Sequence, residues 1–494
     1  MDALLSGLSL LMSFDVLVAL MIGSIGGVII GAIPGVGPAV AIAILLPATF
    51  ALPPLVGLVM LLGIYGSSMF GGSLPAVLIN TPGTAVNALT TYDGYPMTQR
   101  GEATKALGLA YGASFLSGIL SILALILLSP LLAKIAPMFG AREIFLAALL
   151  GIVLVIVAHR GQIAAAGMMA GLGILLQSVG MEPVKYTMRF TFGQDWLTSG
   201  LDLIVVVLGL FAISQAFSLL VDPESAPDAA PVKGGMGREM LGVLKYKRVA
   251  ATGSFFGVVM GMIPGVGEFT AQFMSYTLAR KRSKTPEKFG KGSEEGLVAS
   301  ESANNAVPAA AMIPLLALGI PGEALTAMML SVFYVHNVVP GPALFRDHID
   351  FIYALYMALL VLNVIVILFM LVSSNWLIRL IRIPTRFLGM MILMLSFVGV
   401  YSLRNSAVDC AIAAAFGVFG LILKRLHLPV VPIILGMVLG NIMEVKLRAA
   451  MARVTSPLDF VDRPIAAFLA IVIVVIIASS IRAAIQNHRL KMVH

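Results

Sequence analysis

The sequence contains little charge and a single cysteine, and both shortages limit what kind of protein it encodes. Charged residues make up 11% of the 494 residues, whereas about a quarter of the residues are charged in a soluble globular protein. Hydrophobic residues make up 59%, and the mean hydropathy is +1.00. Cys410 alone cannot form an intrachain disulfide framework. The composition therefore indicates a polytopic membrane protein.

Several functional motifs are also missing from the sequence. There is no Gly-x4-Gly-Lys-Ser/Thr nucleotide-binding loop, no His-Glu-x-x-His zinc motif and no defensible catalytic triad. The net charge of +8 lies mostly in loops, which is typical of the positive-inside bias and not of nucleic-acid binding. No Lys or Arg precedes Arg100, so we expect an uncleaved N-terminus. We therefore predict no enzyme activity and no cofactor. The only metal ion that we expect is Na⁺, as an ion whose gradient could drive movement of a solute across the membrane.

Long apolar runs dominate the rest of the chain. Runs of about 20 residues are long enough to cross the hydrocarbon core of a bilayer. By this criterion we predict an all-α polytopic membrane protein with about 12 transmembrane helices, some of them broken or re-entrant. The predicted divisions are a first transmembrane repeat (1–221), a polar Pro- and Gly-rich linker (222–247), a second transmembrane repeat (248–446) and a C-terminal loop with an appended transmembrane helix (447–494).

A pattern of glycines followed by Pro-Gly-Val-Gly occurs twice, and this duplication supports two repeats. A second pair of Pro-Gly dipeptides aligns at an offset of 239, from Pro82 to Pro321. Ordered matches of this kind are stronger than one chance match in a Gly-rich chain. The first pattern consists of Gly23, Gly27, Gly31, Pro34, Gly35, Val36 and Gly37, and the second of Gly253, Gly257, Gly261, Pro264, Gly265, Val266 and Gly267.

The loop charges favour an inverted relation between the repeats. Residues 46–54, after the first pattern, carry no charge, whereas residues 280–291, after the second, carry six basic residues and one acid. The positive-inside rule puts these two segments on opposite sides of the membrane. Lys134 and Arg142 nevertheless correspond to the equally basic Arg379 and Arg386, so parallel repeats stay open.

Four Pro-Gly interruptions are predicted to break helices at membrane depth. We call them break 1 (34–37), break 2 (82–83), break 3 (264–267) and break 4 (321–322). A break gives one helix a free C-terminus and the next a free N-terminus, whose N–H groups bind anions while the carbonyl groups suit a small cation. The predicted substrate-binding residues are Pro34, Gly35, Val36, Gly37, Asn80, Thr81, Pro82, Gly83, Thr84, Pro264, Gly265, Gly267, Asn304, Asn305, Pro321 and Gly322.

Ionisable and hydroxyl groups beside the breaks are the candidates for coupling-ion binding. An ionisable side chain at membrane depth is costly and indicates ion or proton handling. Glu268 and Glu323 could instead serve only to stabilise the positive end of a helix dipole. The Gly-x3-Gly spacing could likewise serve only to let two helices pack closely. No Lys or Arg lies beside a break, so an anion would be held by amides and hydroxyls. The predicted coupling-ion residues are Glu268, Glu301, Ser302 and Glu323.

The repeated glycine pattern, and the stretch 290–306 followed by Leu318-Gly-Ile-Pro-Gly, resemble the large membrane subunit of the tripartite tricarboxylate transporters, the TctA family. The resemblance covers nearly the whole chain. It implies the translocating subunit of a cation-coupled, sodium- or proton-driven system in a bacterial inner membrane, with di- or tricarboxylates such as citrate as substrates. It also implies two partners, a small membrane subunit (TctB-like) and a periplasmic substrate-binding protein (TctC-like).

Two alternatives remain open at the level of the sequence. The chain could be a stand-alone organic-anion exporter or exchanger that needs no soluble receptor. It could also be an intramembrane enzyme or an assembly scaffold, for which Glu268 with Glu301 is the one conceivable catalytic pair. The sequence selects neither the carboxylate nor the coupling ion.

Overall fold

The computed structural model describes residues 2–34, 36–159, 161–182, 186–221, 232, 234–380, 383–452 and 456–491, and the described chain is almost entirely α-helical. Its helices are α1 (Asp2–Leu11), α2 (Phe14–Gly31), α3 (Gly37–Thr49), α4 (Pro54–Ile79), α5 (Ala88–Gln99), α6 (Ala103–Ile135), α7 (Ala141–Ala158), α8 (Ile163–Gln177), α9 (Leu203–Val207), α10 (Ser214–Val221), α11 (Met236–Leu241), α12 (Lys247–Met262), α13 (Gly267–Arg282), α14 (Glu294–Leu318), α15 (Ala324–Val335), α16 (Pro342–Asp347), α17 (Ile349–Leu380), α18 (Thr385–Arg404), α19 (Ala407–Arg425), α20 (Val431–Met451) and α21 (Pro464–Lys491).

Strand structure is minimal in the described chain. β1 (Gly180–Met181) and β2 (Met188–Arg189) pair antiparallel. A π-helical segment, Leu208–Ile213, joins α9 to α10, so that Leu203–Val221 forms one apolar helix. Such a segment carries one wider turn within an otherwise α-helical rod.

Nine helices in the described residues are long and apolar enough to cross a membrane, which confirms the predicted all-α polytopic membrane fold. Helices α3, α8 and α15 are apolar but shorter. The predicted total of about 12 crossings stays a prediction. The nine candidate spans are Phe14–Gly31, Pro54–Ile79, Ala103–Met138, Ala141–Ala158, Leu203–Val221, Ile349–Arg379, Thr385–Arg404, Ala407–Arg425 and Pro464–Arg482.

Each predicted break separates two helices. Break 1 separates α2 from α3, and break 3 separates α12 from α13. Break 2 lies between α4 and α5, with the short 3₁₀ turn Ala85–Asn87 before α5, and break 4 lies between α14 and α15. Proline removes a backbone donor and clashes with the preceding turn, so a helix cannot run through these positions undisturbed.

The chain forms two compact units. Unit 1 comprises Met1–Ala133, Ile204–Met262 and Gly267–Ile422, and unit 2 comprises Lys134–Leu203, Ile263–Val266 and Leu423–His494. Breaks 1, 2 and 4 therefore belong to unit 1, whereas the first three residues of break 3 are grouped with unit 2. These units do not follow the predicted division into halves, which describes a sequence repeat and stays a prediction.

Unit 1 is built around α4 and α14, whose side chains are buried along nearly their whole length. Helix α2 packs on α4, and α12 packs on α14. A methyl group on Gly27 would overlap the backbone of Ile64, and one on Gly257 would reach the carbonyl oxygen of Ala303 at 2.5 Å. Glycine permits this close helix approach.

The glycine contacts follow the same spacing in both halves of the chain. Gly23 faces the backbone of Met60, and Gly253 faces the backbone of Ala299. Ala299 lies 239 residues after Met60 in the chain. Gly31 faces Ser68, and Gly261 faces Val307, which again lies 239 residues after its counterpart. Each glycine helix therefore packs on its long partner in one register. The inverted orientation of the repeats stays a prediction.

Unit 2 is built around α20, which packs against α7 and α8, while α21 packs against α7. Gly173 on α8 faces the backbone of Ile433 on α20. Arg189 donates to Glu444 at 2.7 Å and 3.1 Å in a bidentate pair. Planar, two-bonded pairs of this kind hold two segments in a defined orientation.

The predicted linker is only partly described. Residues 222–231 and 233 lie outside the described residues. The remainder includes α11, the 3₁₀ turn Gly242–Tyr246 and the first residue of α12. Met236 and Val243 are buried there, and Met240 packs against Gly112 on α6. This part of the segment therefore belongs to the packed body of unit 1.

Candidate functional site

Break 2 lies directly against the end of the helix that precedes break 1. A methyl group on Gly83 would overlap the carbonyl oxygen of Gly31, the last residue of α2. In the second half, a methyl group on Gly322 would stand 2.9 Å from the carbonyl oxygen of Gly261. The two halves therefore share the same glycine-to-carbonyl contact, which places the carbonyl oxygens of Gly31 and Gly261 beside the backbone of breaks 2 and 4.

Both long central helices end in a left-handed residue. Asn80 caps α4 with φ of 57°, and Gly319 caps α14 with φ of 70°. A left-handed C-cap turns the chain sharply out of the helix, and Gly and Asn tolerate this conformation best. Asn80 is exposed, Thr81 and Pro82 are half-buried, and Thr84 is buried. In the second half, Pro321 and Gly322 are both buried.

A buried carboxylate, Glu301, connects helices from both halves of the chain. Its Oε1 accepts hydrogen bonds from Thr90 Oγ1 at 2.5 Å and from Asn87 Nδ2 at 3.4 Å. Its Oε2 accepts from Ser114 Oγ at 2.9 Å and from Asn305 Nδ2 at 3.3 Å. These donors come from the 3₁₀ turn Ala85–Asn87, from α5, from α6 and from α14. The cluster is closed to solvent because Glu301 is fully buried.

The Glu301 cluster continues to break 2. Thr84 Oγ1 donates to Asn87 Oδ1 at 2.5 Å, and Asn87 fits there because position 72 is a glycine, where a methyl group would overlap the Asn87 side chain. Asn305 Nδ2 also donates to Ser114 Oγ at 2.7 Å. The structure therefore brings together three residues predicted from sequence, Thr84, Glu301 and Asn305.

The loop before α14 is fastened to α5 by a second carboxylate, Asp93. Asp93 Oδ1 accepts from the backbone N–H groups of Gly290, Gly292 and Ser293 at 2.9, 2.9 and 2.7 Å. Tyr276 donates its hydroxyl to Oδ2 at 2.8 Å. This loop is the start of the stretch with the strongest family resemblance, and its structural role is to position α14.

Another group of polar side chains is buried without any hydrogen-bond partner among the described residues. Both amide atoms of Asn304 and both of Gln272 are in this state, although each residue is completely buried. The same holds for Ser302 Oγ and for one carboxylate oxygen each of Glu268 and Glu323. An unpaired buried polar group costs about 1–3 kcal/mol, so such groups mark places where water, an ion or a ligand binds.

The packing of α13 on α14 places three of these side chains on one side of the interface between the two helices. Ser275 Oγ donates to Ala299 O at 2.8 Å, and Ala271 packs in one cluster with Ala303 and Val307, so the two helices run antiparallel. Gln272 and Asn304 each follow an interface residue by one position. In an antiparallel pair these positions lie on the same side of the interface, because each helix advances about 100° per residue. Glu268 lies one turn before Gln272 on the same face of α13.

Glu268 and Glu323 both lie at helix N-termini. Glu268 is the second residue of α13, and Glu323 precedes α15, where its backbone N–H donates to Thr326 Oγ1 at 3.0 Å. Both side chains are buried, since Glu268 is 7% exposed and Glu323 is 9% exposed. The helix N-terminus stabilises a negative charge there, and a carboxylate with a free oxygen can also bind a cation.

Breaks 1 and 3 each contain a glycine in the left-handed conformation. Gly35 lies outside the described residues, Val36 is buried and Gly37 begins α3 with φ of 66°. In unit 2, Gly265 has φ of 79° and packs so tightly on Val155 that a side chain would overlap it. Pro264 and Gly267 are half-buried. The predicted convergence of all four breaks stays a prediction.

Sequence reasoning missed Gln272, Thr90, Ser114 and Asp93. Gln272 and Ser114 stand out only as polar residues within helices, and many such residues simply bond to their own helix. Chemically, unit 1 offers neutral amide and hydroxyl donors, free helix ends and carboxylates near breaks 2 and 4. Such a set can bind a carboxylate and a small cation together. Within the described residues, no group of three or more His, Cys, Asp or Glu side chains is arranged to hold a metal ion.

Comparison with known proteins identifies the family. A family model described as the tripartite tricarboxylate transporter TctA family matches residues 17–435. An uncharacterized 52.8 kDa protein in the TAR-I ttuC' 3' region of Agrobacterium vitis is 34% identical over 481 residues, covering 95% of this chain and 94% of that protein. An uncharacterized protein in the TAR-II ttuC' 3' region of the same organism is 33% identical over 216 residues, covering 43% of this chain and 88% of that protein.

No solved structure matches the chain significantly. The family match nevertheless covers most of the sequence, including breaks 1 to 4, and it agrees with the multi-pass helical fold. The chain therefore belongs to the TctA family and is a membrane subunit of a tripartite tricarboxylate transporter.

Proposed function

We propose that the protein takes up di- or tricarboxylates across a bacterial inner membrane, driven by a sodium or proton gradient. In this proposal the substrate is delivered by a periplasmic binding protein, and a small membrane subunit completes the complex. The observation that carries the proposal is the set of fully buried, unpaired polar side chains on α13 and α14. A transporter must hold a charged solute away from water, and such groups are the ones free to bind it.

The anion would be bound by neutral donors. Gln272 and Asn304 supply amide N–H groups, and the N-termini of α13 and α15 supply backbone N–H groups and a positive dipole end. Neutral donors bind a carboxylate more weakly than an arginine does, which suits a site that must release its ligand on the other side. The absence of Lys and Arg beside the breaks in the sequence supports this assignment.

The coupling cation would be bound by oxygen atoms. Glu268 and Glu323 each keep one carboxylate oxygen without a described hydrogen-bond partner. The carbonyl oxygens at the ends of α2 and α12 lie beside breaks 2 and 4. Glu301, in contrast, already accepts four hydrogen bonds, so we assign it a positioning role between the two halves.

Transport by reconstituted protein tests the proposal. The chain and its small membrane subunit are placed in vesicles, the binding protein is added outside, and uptake of a panel of labelled di- and tricarboxylates is followed. Imposed Na⁺ and pH gradients are then collapsed separately with a sodium ionophore and a protonophore. We expect uptake that needs the binding protein and that one of the two ionophores abolishes.

Uptake that proceeds at the same rate without the binding protein would instead identify a stand-alone carrier. Uptake that continues after both gradients have collapsed would contradict cation coupling. Substrate exchange in the absence of any gradient serves as the control that the vesicles contain folded, competent protein.

A further inference from the structure

A basic cleft opens between the start of α12 and the end of α13. Its volume is about 620 Å³, and it extends to Glu295 at the start of α14. Four cationic side chains line it, namely Lys245, Lys247, Arg248 and Arg282, against the single carboxylate of Glu295. The cleft is distinct from the buried polar groups of α13 and α14, because its cationic residues are exposed.

Three of the four cations of this cleft have no ion-pair partner in the described part of the chain. Lys247, Arg248 and Arg282 form no ion pair with any residue in the described part of the chain. Nearby Lys105 behaves differently, because it lies 2.5 Å from Glu294. Like charges that share one cleft repel one another, and an anion between them removes this repulsion.

An apolar depression continues from the cleft along the same two helices. It has a volume of about 250 Å³ and is lined by Phe256, Phe273, Met274 and Leu278, with Lys281 at its edge. Leu278 lines both the basic cleft and the apolar depression. Phe255 and Phe269 on the same helices are also exposed, at 62% and 56%. A ligand here therefore meets positive charge at one end and hydrocarbon-like surface at the other.

We infer that this surface binds an anionic phospholipid, with its phosphate headgroup among Lys247, Arg248 and Arg282 and an acyl chain along Phe256 and Phe273. A soluble anion would use the basic cleft but would gain nothing from the apolar depression. The strongly basic segment 280–291 ends this surface, and basic segments at a membrane boundary attract anionic lipids. The inference depends on the membrane fold and not on the proposed transport function.

Native mass spectrometry of the full-length protein tests the inference. Protein purified in detergent is titrated with phosphatidylglycerol or with phosphatidylcholine of the same acyl chains, and bound lipid is counted. We expect one tightly held phosphatidylglycerol. In the double variant Arg248→Gln/Arg282→Gln its affinity falls about 30-fold, because each Lys or Arg near an anionic membrane surface contributes about a factor of five.

The double variant Lys134→Gln/Arg386→Gln is the control, since it removes the same charge from exposed residues that do not line the cleft and lie outside α12, α13 and the segment 280–291. We expect it to bind like the original protein. Phe273→Ser in the apolar depression should also weaken phosphatidylglycerol binding while leaving all cations in place. The folding of every variant is checked by its circular dichroism and elution volume.

Three outcomes would overturn the inference. One is equal loss of lipid in the cleft variant and in the control. Another is equal binding of phosphatidylcholine and phosphatidylglycerol. The third is displacement of the lipid by millimolar glycerol 3-phosphate together with no effect of Phe273→Ser, because this result would identify the ligand as a soluble anion.

Discussion

Gly83 in break 2 stands directly against the carbonyl oxygen of Gly31 at the end of α2, and no side chain fits between them. Gly322 and Gly261 form the corresponding contact in the second half, with slightly more room at 2.9 Å. Each pair ties the second break of its half to the helix that ends at the first break. The site is therefore assembled by backbone contacts, which only glycine permits at this distance.

Substitution of these glycines tests the role of the contact. We expect Gly83→Ala to abolish uptake and to lower the apparent melting temperature, because overpacking costs about 1–3 kcal/mol. Gly322→Ala should have a smaller effect, since its nearest neighbour leaves more space. Gly26→Ala is the control on α2, where an added methyl group meets no atom within 4 Å. Uptake by Gly83→Ala at the rate of this control would contradict the assignment.

Changing the Glu301 carboxylate to an amide should lower the stability of the protein, because it disturbs the hydrogen bonds of the cluster. In Glu301→Gln, one oxygen becomes an NH₂ group, which must face the NH₂ group of either Asn87 or Asn305. Two donors then oppose each other, and we expect a loss of about 1–3 kcal/mol in stability, measured by thermal unfolding in detergent. Glu287→Gln, in an exposed loop, removes the same charge as a control.

A second change distinguishes this geometry from a simple loss of charge. Adding Asn305→Asp to Glu301→Gln restores an acceptor opposite the new donor and keeps the total charge of the cluster. We expect the double variant to regain a large part of the lost stability. A double variant that is no more stable than Glu301→Gln alone would show that the hydrogen bonds of the cluster are not what stabilises it.

Removing the Asp93 carboxylate should loosen the loop before α14. Asp93→Ala leaves the N–H groups of Gly290, Gly292 and Ser293 without their acceptor, and each unpaired group is costly. We expect tryptic cleavage after Lys288 and Lys291 to accelerate at least about tenfold, as a loss of about 1.4 kcal/mol corresponds to this factor.

Asp347→Asn provides the control for Asp93→Ala. It removes an exposed ion pair with the neighbouring Arg346, at 2.7 Å, and exposed pairs contribute little stability. We therefore expect its cleavage rate to stay near that of the original protein. Equal cleavage rates in Asp93→Ala and in the original protein would argue against a fastening role of Asp93.

A substitution at Gln272 should reduce transport without lowering the stability of the fold. Its amide atoms are buried without a described partner, so replacing the side chain with an apolar one of similar size should not destabilise the fold. We expect Gln272→Leu to keep or raise the apparent melting temperature and to lose at least about tenfold in uptake, which corresponds to about one lost hydrogen bond to a charged ligand. Both quantities are measured on the same preparation.

Gln177→Leu is the matched control, because Gln177 donates to Asn441 at 3.2 Å in an exposed position. It should transport normally. Normal uptake by Gln272→Leu would remove this residue from the substrate site, and a large fall in its melting temperature would show that the amide has partners that stabilise the fold.

The sequence predicted the helical membrane fold because lipid contact imposes a strong compositional rule. A span that faces lipid must be apolar over about 20 residues, as α17 and α21 are. Helix α14 does not obey this rule, since it carries Glu294, Glu295 and Glu301. Its side chains are buried in protein along nearly the whole helix, so they need not all be apolar.

The sequence also located the four helix breaks, because Pro and Gly act on their own backbone within a turn or two. Glu301 and Asn305 are four residues apart, a spacing that places both on one face of a helix. The sequence could not associate either with Thr90 or Ser114, which lie more than 180 residues away along the chain. Only the packing of α5 and α6 against α14 brings these hydroxyls within hydrogen-bond distance.

By itself, the sequence determined that the chain crosses the membrane repeatedly and where its helices are interrupted, because hydropathy and backbone freedom are properties of short segments. The tertiary structure decided which polar side chains are satisfied, as Glu301 and Asp93 are, and which are left without a described partner, as Gln272 and Asn304 are. A hydrogen bond depends on two atoms meeting at about 3 Å, and atoms from distant segments meet only when the helices pack.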